Sequence, residues 1–169
     1  MITNELEQKW QRIQQAMQRQ EADGCLLSMN MNLYYASGQV FNGYFYLPAE
    51  GNPYWFVKRL TIGKTGQVHV IRKPEQMPEL FQKLGLPLPR KLLLEADELP
   101  YNEYVRLQKV FQPEQTGNAS SLLRQIRMIK TPWEIEQMRI SARQHEAVYR
   151  KIPSCYRPGM TDIEFQIEI

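Results

Sequence analysis

Apolar residues recur at helical spacing over Leu6, Trp10, Ile13 and Met17. This pattern predicts an amphipathic first helix, capped by Thr3 or Asn4 and ended by "ADG", with Gly24 beyond its last turn. "CLLSM" is an apolar run too short for a helix and is bounded by turn residues, so it reads as a buried strand. In "GYFYLPAEGNPYWFVKR" two aromatic, β-prone runs flank "PAEGNP" and predict an antiparallel hairpin, with Tyr46 and Trp55 as cross-strand neighbours. "QVHVIR" reads as a strand and "PEQMPELFQKLG" as a helix ended by Gly85. "KLLLEA" follows as a strand, and "PYNEYVRLQKVF" as a helix opened by Pro100 and closed before Pro113. "SSLLRQIRMIK" predicts a helix capped by Ser120 or Ser121. Strands alternating with helices around one hairpin predict a mixed sheet covered on both faces.

A new periodicity begins at "TPWEIEQMR". Thr131 has the chemistry of an N-cap, Pro132 sits where a missing N–H costs nothing, and Glu134 completes a capping box. Ile135, Met138, Ala142, Tyr149 and Ile152 then follow at helical spacing until Pro153, which is expected to stop the helix. A second box, Thr161 with Glu164, opens "DIEFQIEI", a last segment of only eight residues. Helices below roughly 12 to 15 residues are marginal alone, so the chain reads as a piece of a longer protein. The expected division is one domain over residues 1–130, then a linker helix and the opening of a second domain over 131–169.

Charge and composition narrow the function. The 21 basic and 18 acidic residues leave a formal charge of +3, and the basic residues are scattered, which argues against a nucleic-acid face. Cys25 and Cys155, far apart in sequence, read as reduced thiols of a cytoplasmic protein. No apolar run approaches about 18 residues, and the N-terminus is amphipathic rather than signal-like, so neither a membrane span nor a secretory leader is expected.

The order of three motifs resembles the N-terminal half of the creatinase and prolidase family, which includes Xaa-Pro dipeptidases and aminopeptidase P. The motifs are "NMNLYYASG" with Asn32 through Gly38, "RMIKTPWEIEQMR" with Arg127 through Arg139, and "RPGMTDIE" with Arg157 through Glu164. The resemblance implies a three-layer α/β/α creatinase-type N-terminal domain with a mixed, ribonuclease H-like sheet, followed by C-terminal helices of a truncated metallopeptidase catalytic domain. It also implies a parent that hydrolyses the peptide bond to a proline nitrogen, using a divalent metal pair, Mn or Co, held by two Asp, one His and two Glu of the later domain. Proline-containing peptides would be its substrates, and a homo-oligomer, in the simplest case a dimer, its assembly.

No catalytic or metal-binding residue is assigned in this chain, and no cofactor. His69 and His145 read as packed or surface histidines, and "GKTG", Gly63 to Gly66, as a turn rather than a phosphate loop. The aromatic residues from Tyr34 to Trp55 read as hairpin core and rim rather than a stacking platform. In the relatives, the loop after Ser/Thr-Gly reaches towards a substrate pocket, often of the partner subunit. The resemblance therefore assigns Gln39, Val40 and Phe41 to a substrate-access loop. This loop lacks the Arg that creatinase uses to hold a carboxylate, which favours Xaa-Pro peptides over creatine. Phe41→Ala is expected to behave as a surface substitution, within about 1 kcal/mol. The chain alone is expected neither to bind divalent metal tightly nor to hydrolyse Xaa-Pro peptides, and its unmatched apolar stripe is expected to drive self-association through residues 132–169. The alternative reading is a pseudo-peptidase module that binds protein and cleaves nothing.

Overall fold

The computed structural model describes residues 2–59 and 67–169; "GKTG" lies outside them. The chain divides into two compact units, residues 1–128 and 129–169.

In the first unit, helix α1 (Ile2–Gln18) is followed by β1 (Gly24–Leu27), α2 (Asn30–Ser37), β2 (Gly43–Pro48) and β3 (Tyr54–Val57). Then come β4 (Gln67–Val70), a 3₁₀ turn at Pro74–Gln76, α3 (Met77–Lys83), β5 (Lys91–Leu94), α4 (Tyr101–Phe111), β6 (Gln115–Asn118) and α5 (Ala119–Met128). The six strands form one mixed sheet in the order β4-β3-β2-β1-β5-β6. β2 is antiparallel to both β1 and β3, whereas the β1–β5, β5–β6 and β3–β4 pairs are parallel.

Strand alternation sends side chains to two separate cores. Cys25, Leu27, Phe45, Trp55 and Leu93 meet Ile13 and Met17 of α1, Leu33 of α2, and Leu122 and Leu123 of α5. On the other face, Leu26, Tyr46, Phe56, Leu92 and Leu94 meet Met77 and Phe81 of α3, and Leu107 and Phe111 of α4. The architecture is the three-layer mixed α/β fold expected from the sequence.

Four local expectations need correction. The first helix ends earlier than "ADG": Glu21 takes the left-handed conformation at φ 54°, the Ala22 N–H bonds back to Met17 O at 3.0 Å, and Gly24 already belongs to β1. In the hairpin, Trp55 pairs with Phe45, and Tyr46 with Tyr54. A shift of one residue changes the face, so Tyr46 and Trp55 lie in opposite cores. β6 was not foreseen, because "QTGN" carries no apolar alternation; parallel pairing to β5 defines it. Gly117 belongs there because a Cβ would come within 2.4 Å of Leu93. The cap of α5 is Asn118, whose Oδ1 accepts from the Ser120 N–H at 2.9 Å, rather than Ser120 or Ser121.

The second unit contains α6 (Pro132–Cys155) and α7 (Asp162–Glu168). Both capping boxes form as expected, Glu134 N–H and Glu164 N–H each donating to their threonine Oγ1 at 3.2 Å. α6 runs two residues past Pro153, because a proline this close to a helix end removes only one late hydrogen bond. Tyr156 packs edge-on against Phe165, with ring centroids 5.8 Å apart, joining the two helices. Among the described residues, no helix is long and apolar enough to cross a membrane.

Candidate functional site

The β1–β5 pair lies where the chain's connections diverge. After β1, α2 packs on one face of the sheet, and after β5, α4 packs on the other. Parallel strands whose following helices leave to opposite sides open a crevice at their carboxyl ends, the usual ligand position in open α/β sheets. A cleft of about 840 Å³ occupies that place. Its walls are Ser28–Asn30 at the start of α2, Val40–Tyr44 leading into β2, Lys58 after β3, and Leu99, Pro100, Asn102 and Glu103 at the start of α4.

The cleft carries one cation, Lys58, one carboxylate, Glu103, and several neutral polar groups. The Lys58 ammonium lies 5.5 Å from the centroid of the Tyr44 ring, and the Tyr44 hydroxyl donates to Glu103 Oε1. Burial, and then the hydrogen bond and charge of Glu103, hold the Tyr44 phenol well above its usual ionisation range, so Tyr44 acts there as a neutral donor. Arg106, 3.7 Å from Glu103 Oε2, also forms a bidentate pair with Glu75 at 2.7 and 2.9 Å.

Beside the cleft, Glu95 is fully buried. Its carboxylate accepts the N–H groups of Ser28 at 2.7 Å and Met29 at 3.1 Å, and the Asn32 amide at 2.8 Å. It therefore does for α2 what the N-cap side chain does not, satisfying donors at the helix entry. Burial pushes the Glu95 carboxyl above the usual carboxylate range, opposed by these three donors and reinforced by the charge of Glu98. Asn32 also donates to Glu98 at 3.0 Å and accepts from Arg127 at 3.2 Å. The first residues of two sequence motifs, 95 positions apart, thus meet directly. Glu95 was missed at sequence level: a single acid at the end of "KLLLEA" carries no pattern that marks it as a buried acceptor.

Ser37 and Gly38 build the loop that forms one wall. The Ser37 Oγ lies 2.8 Å from Leu33 O and 3.0 Å from Gln39 O, and Gly38, at φ 75°, closes α2 by donating to Tyr34 O. Of the three loop residues singled out, Val40 and Phe41 line the cleft and Gln39 does not. Val40 is 52% exposed, whereas Phe41 is 6% exposed and belongs to the α1/α5-side core. The expectation that Phe41 is a surface residue is therefore wrong; its ring packs in the core with residues of α1 and α5.

His69 packs against the rings of Tyr54 and Phe56, at 6.3 and 5.8 Å, and His145 is exposed on α6. Among the described residues, no three His, Cys, Asp or Glu side chains come together to hold a metal ion. The described residues therefore offer no donor set for a metal pair of the kind the resemblance places in the later domain. The hairpin aromatics are split between the two faces of the sheet, so they cannot form one stacking platform.

Fold and cleft together define an α/β domain with a crevice at the carboxyl ends of its parallel β1–β5 pair. Residues 9–129 match the family model described as "Creatinase/Prolidase N-terminal domain", and the chain belongs to that family. Among solved structures, it resembles an Xaa-Pro dipeptidase from Bacillus anthracis, with TM-score 0.77 and 21% identity over 96% of this chain and 47% of that one. It also resembles the prolidase from Pyrococcus furiosus, with TM-score 0.75 and 17% identity over 93% of this chain and 49% of that one. The creatinase/prolidase N-terminal domain of an X-Pro dipeptidase from Streptococcus pyogenes matches with TM-score 0.58 and 18% identity, over 69% of this chain and 96% of that one. At these identities the likeness is one of fold. The chain spans about half the length of the first two relatives. No curated protein sequence matches significantly.

Proposed function

We propose that residues 1–130 are the non-catalytic N-terminal domain of an Xaa-Pro metallopeptidase, a cytoplasmic homo-oligomer, and that residues 131–169 open its catalytic domain. The cleft carries this reading: a crevice walled on one side by the Val40–Tyr44 segment, with Lys58 and Glu103 as its charged lining residues. Large apolar side chains stand exposed on residues next to its lining, Met31 at 62% and Tyr101 at 79%, as does Val40 within it. Such a rim suits contact with a neighbouring subunit. In the parent, the Gln39–Phe41 loop would shape the entrance to that subunit's peptide site. The divalent metal pair, Mn or Co, would be held by residues this chain does not supply, and would activate water and polarise the scissile carbonyl.

The test is kinetic, in the full-length parent. Val40→Ala and Lys58→Ala should change kcat/KM for tripeptides more than for Xaa-Pro dipeptides, with melting temperature unchanged. Equal kinetics on both substrate lengths would reduce the loop to a connector. A parent that binds but never cleaves Xaa-Pro peptides would overturn the peptidase reading in favour of a protein-binding module.

A further inference from the structure

At the cleft, most groups that could receive an anion are already taken. The Ser28 and Met29 N–H donors at the entry of α2 are held by the Glu95 carboxylate at 2.7 and 3.1 Å, so this helix start offers little to a ligand's negative charge. The Tyr44 hydroxyl is spent on Glu103. Arg106, 3.7 Å from Glu103, is turned to Glu75 at 2.7 and 2.9 Å. Lys58 is what remains. Its backbone N–H donates to Asn42 O at 2.8 Å, which continues the β2–β3 pairing and roots the residue at the cleft wall. Its ammonium lies 5.5 Å from the centroid of the buried Tyr44 ring, and among the described residues no carboxylate pairs with it.

We propose that Lys58 anchors the free C-terminal carboxylate of a peptide lying along the cleft, and so makes the cleft selective for short peptides that end within it. The assignment rests on the reading of the cleft as the entrance to a neighbouring subunit's peptide site.

Three features set the chemistry of the ligand. An ammonium held on an aromatic face uses one side only, which leaves N–H donors for an anion. The anchor carries a single positive charge, and Glu103 in the same lining disfavours a second negative charge, so a monoanionic carboxylate suits it better than a phosphate dianion. Val40, Leu99 and Pro100 supply apolar wall, while the exposed carboxamides of Asn30, Asn42 and Asn102 both donate and accept, as a peptide backbone requires. Lys58 is half-buried, which spares the contact part of the screening that weakens ion pairs on an open surface.

Isothermal titration of the chelator-stripped full-length parent with Ala-Pro-Ala and with its C-terminal amide reads the anchor without catalysis. The acid should bind about tenfold more tightly than the amide, the size of one charge-assisted contact. Lys58→Met keeps an apolar stem for the Tyr44 ring and removes the charge. It should abolish the preference for the acid, whereas Lys58→Arg should keep it, with the melting temperature of each variant checking the fold. A wild-type parent that binds neither form, or both equally, overturns the assignment, and so does a Lys58→Met variant that keeps the preference. Cleavage of Xaa-Pro peptides, assayed separately with metal restored, decides the peptidase reading. Acid-selective binding without cleavage leaves the anchor standing and overturns the peptidase; cleavage with an unaltered acid preference in Lys58→Met does the reverse.

Discussion

Phe41→Ala separates a structural from an access role for the loop. Phe41 and Val40 are neighbours in sequence and both border the cleft, but Phe41 is 6% exposed within the core and Val40 is 52% exposed. A buried aromatic side chain removes roughly 150 to 250 Å² from water, and Phe→Ala truncations typically cost about 3 to 5 kcal/mol when the cavity cannot collapse. Here the vacated space borders an open cleft that admits water, which places the cost near the lower end, about 3 kcal/mol. For a unit of this size that is a fall in melting temperature on the order of 10 °C. Val40→Ala should stay within about 0.5 kcal/mol of the parent sequence. Urea denaturation followed by tryptophan fluorescence reads both, since Trp55 belongs to the same core as Phe41 and Trp10 packs against it. An unchanged m-value would show that the loss lies in the folded state. If Phe41→Ala costs less than about 1 kcal/mol, its ring does not hold the loop on the core.

Two further outcomes follow from buried titratable groups. Burial raises the Glu95 carboxyl above its unfolded value of 4.5, so the folded chain binds that proton more tightly than the unfolded chain. Its contribution to stability is greatest below the unfolded value and is lost as pH rises through the folded one. Relative to Glu95→Gln, which does not titrate, the wild-type chain should gain stability as pH falls from 7 towards the unfolded value of 4.5 in urea denaturation; a loss over that range would contradict the assignment. Burial likewise pushes the Cys25 thiol up to about 12, with the Glu95 charge adding to it. Native protein should therefore take up iodoacetamide at Cys155 alone, and Cys155→Ser should leave the native chain unlabelled until it is denatured.

Much of the fold was legible because local chemistry and burial agree. The helical spacing of Ile13 and Met17, the capping boxes at Thr131 and Thr161, and the aromatic hairpin each need only a few neighbouring residues to be read. Where the sequence misled, the deciding interactions were distant. Tyr46 and Trp55 part company because register depends on which strand face meets which helix layer, and a one-residue shift exchanges the faces. β6 exists because β5 offers a parallel partner, and nothing in Gln115–Asn118 announces it. Phe41 looked like a loop residue and became core because the fold brings α1 and α5 to the same face of the sheet.

The sequence alone determined the family, through motifs whose roles are local: a left-handed glycine closing α2, and capped helix starts. The tertiary structure decided what those motifs meet. Asn32 and Arg127 bond across 95 positions, and Glu95 reaches back to the entry of α2. The cleft likewise arises only when α2 and α4 leave the sheet in opposite directions. Capping and periodicity act within a turn or two of the chain and leave their trace in adjacent residues. A buried acceptor or a crevice depends on which strands become neighbours, which no short stretch records.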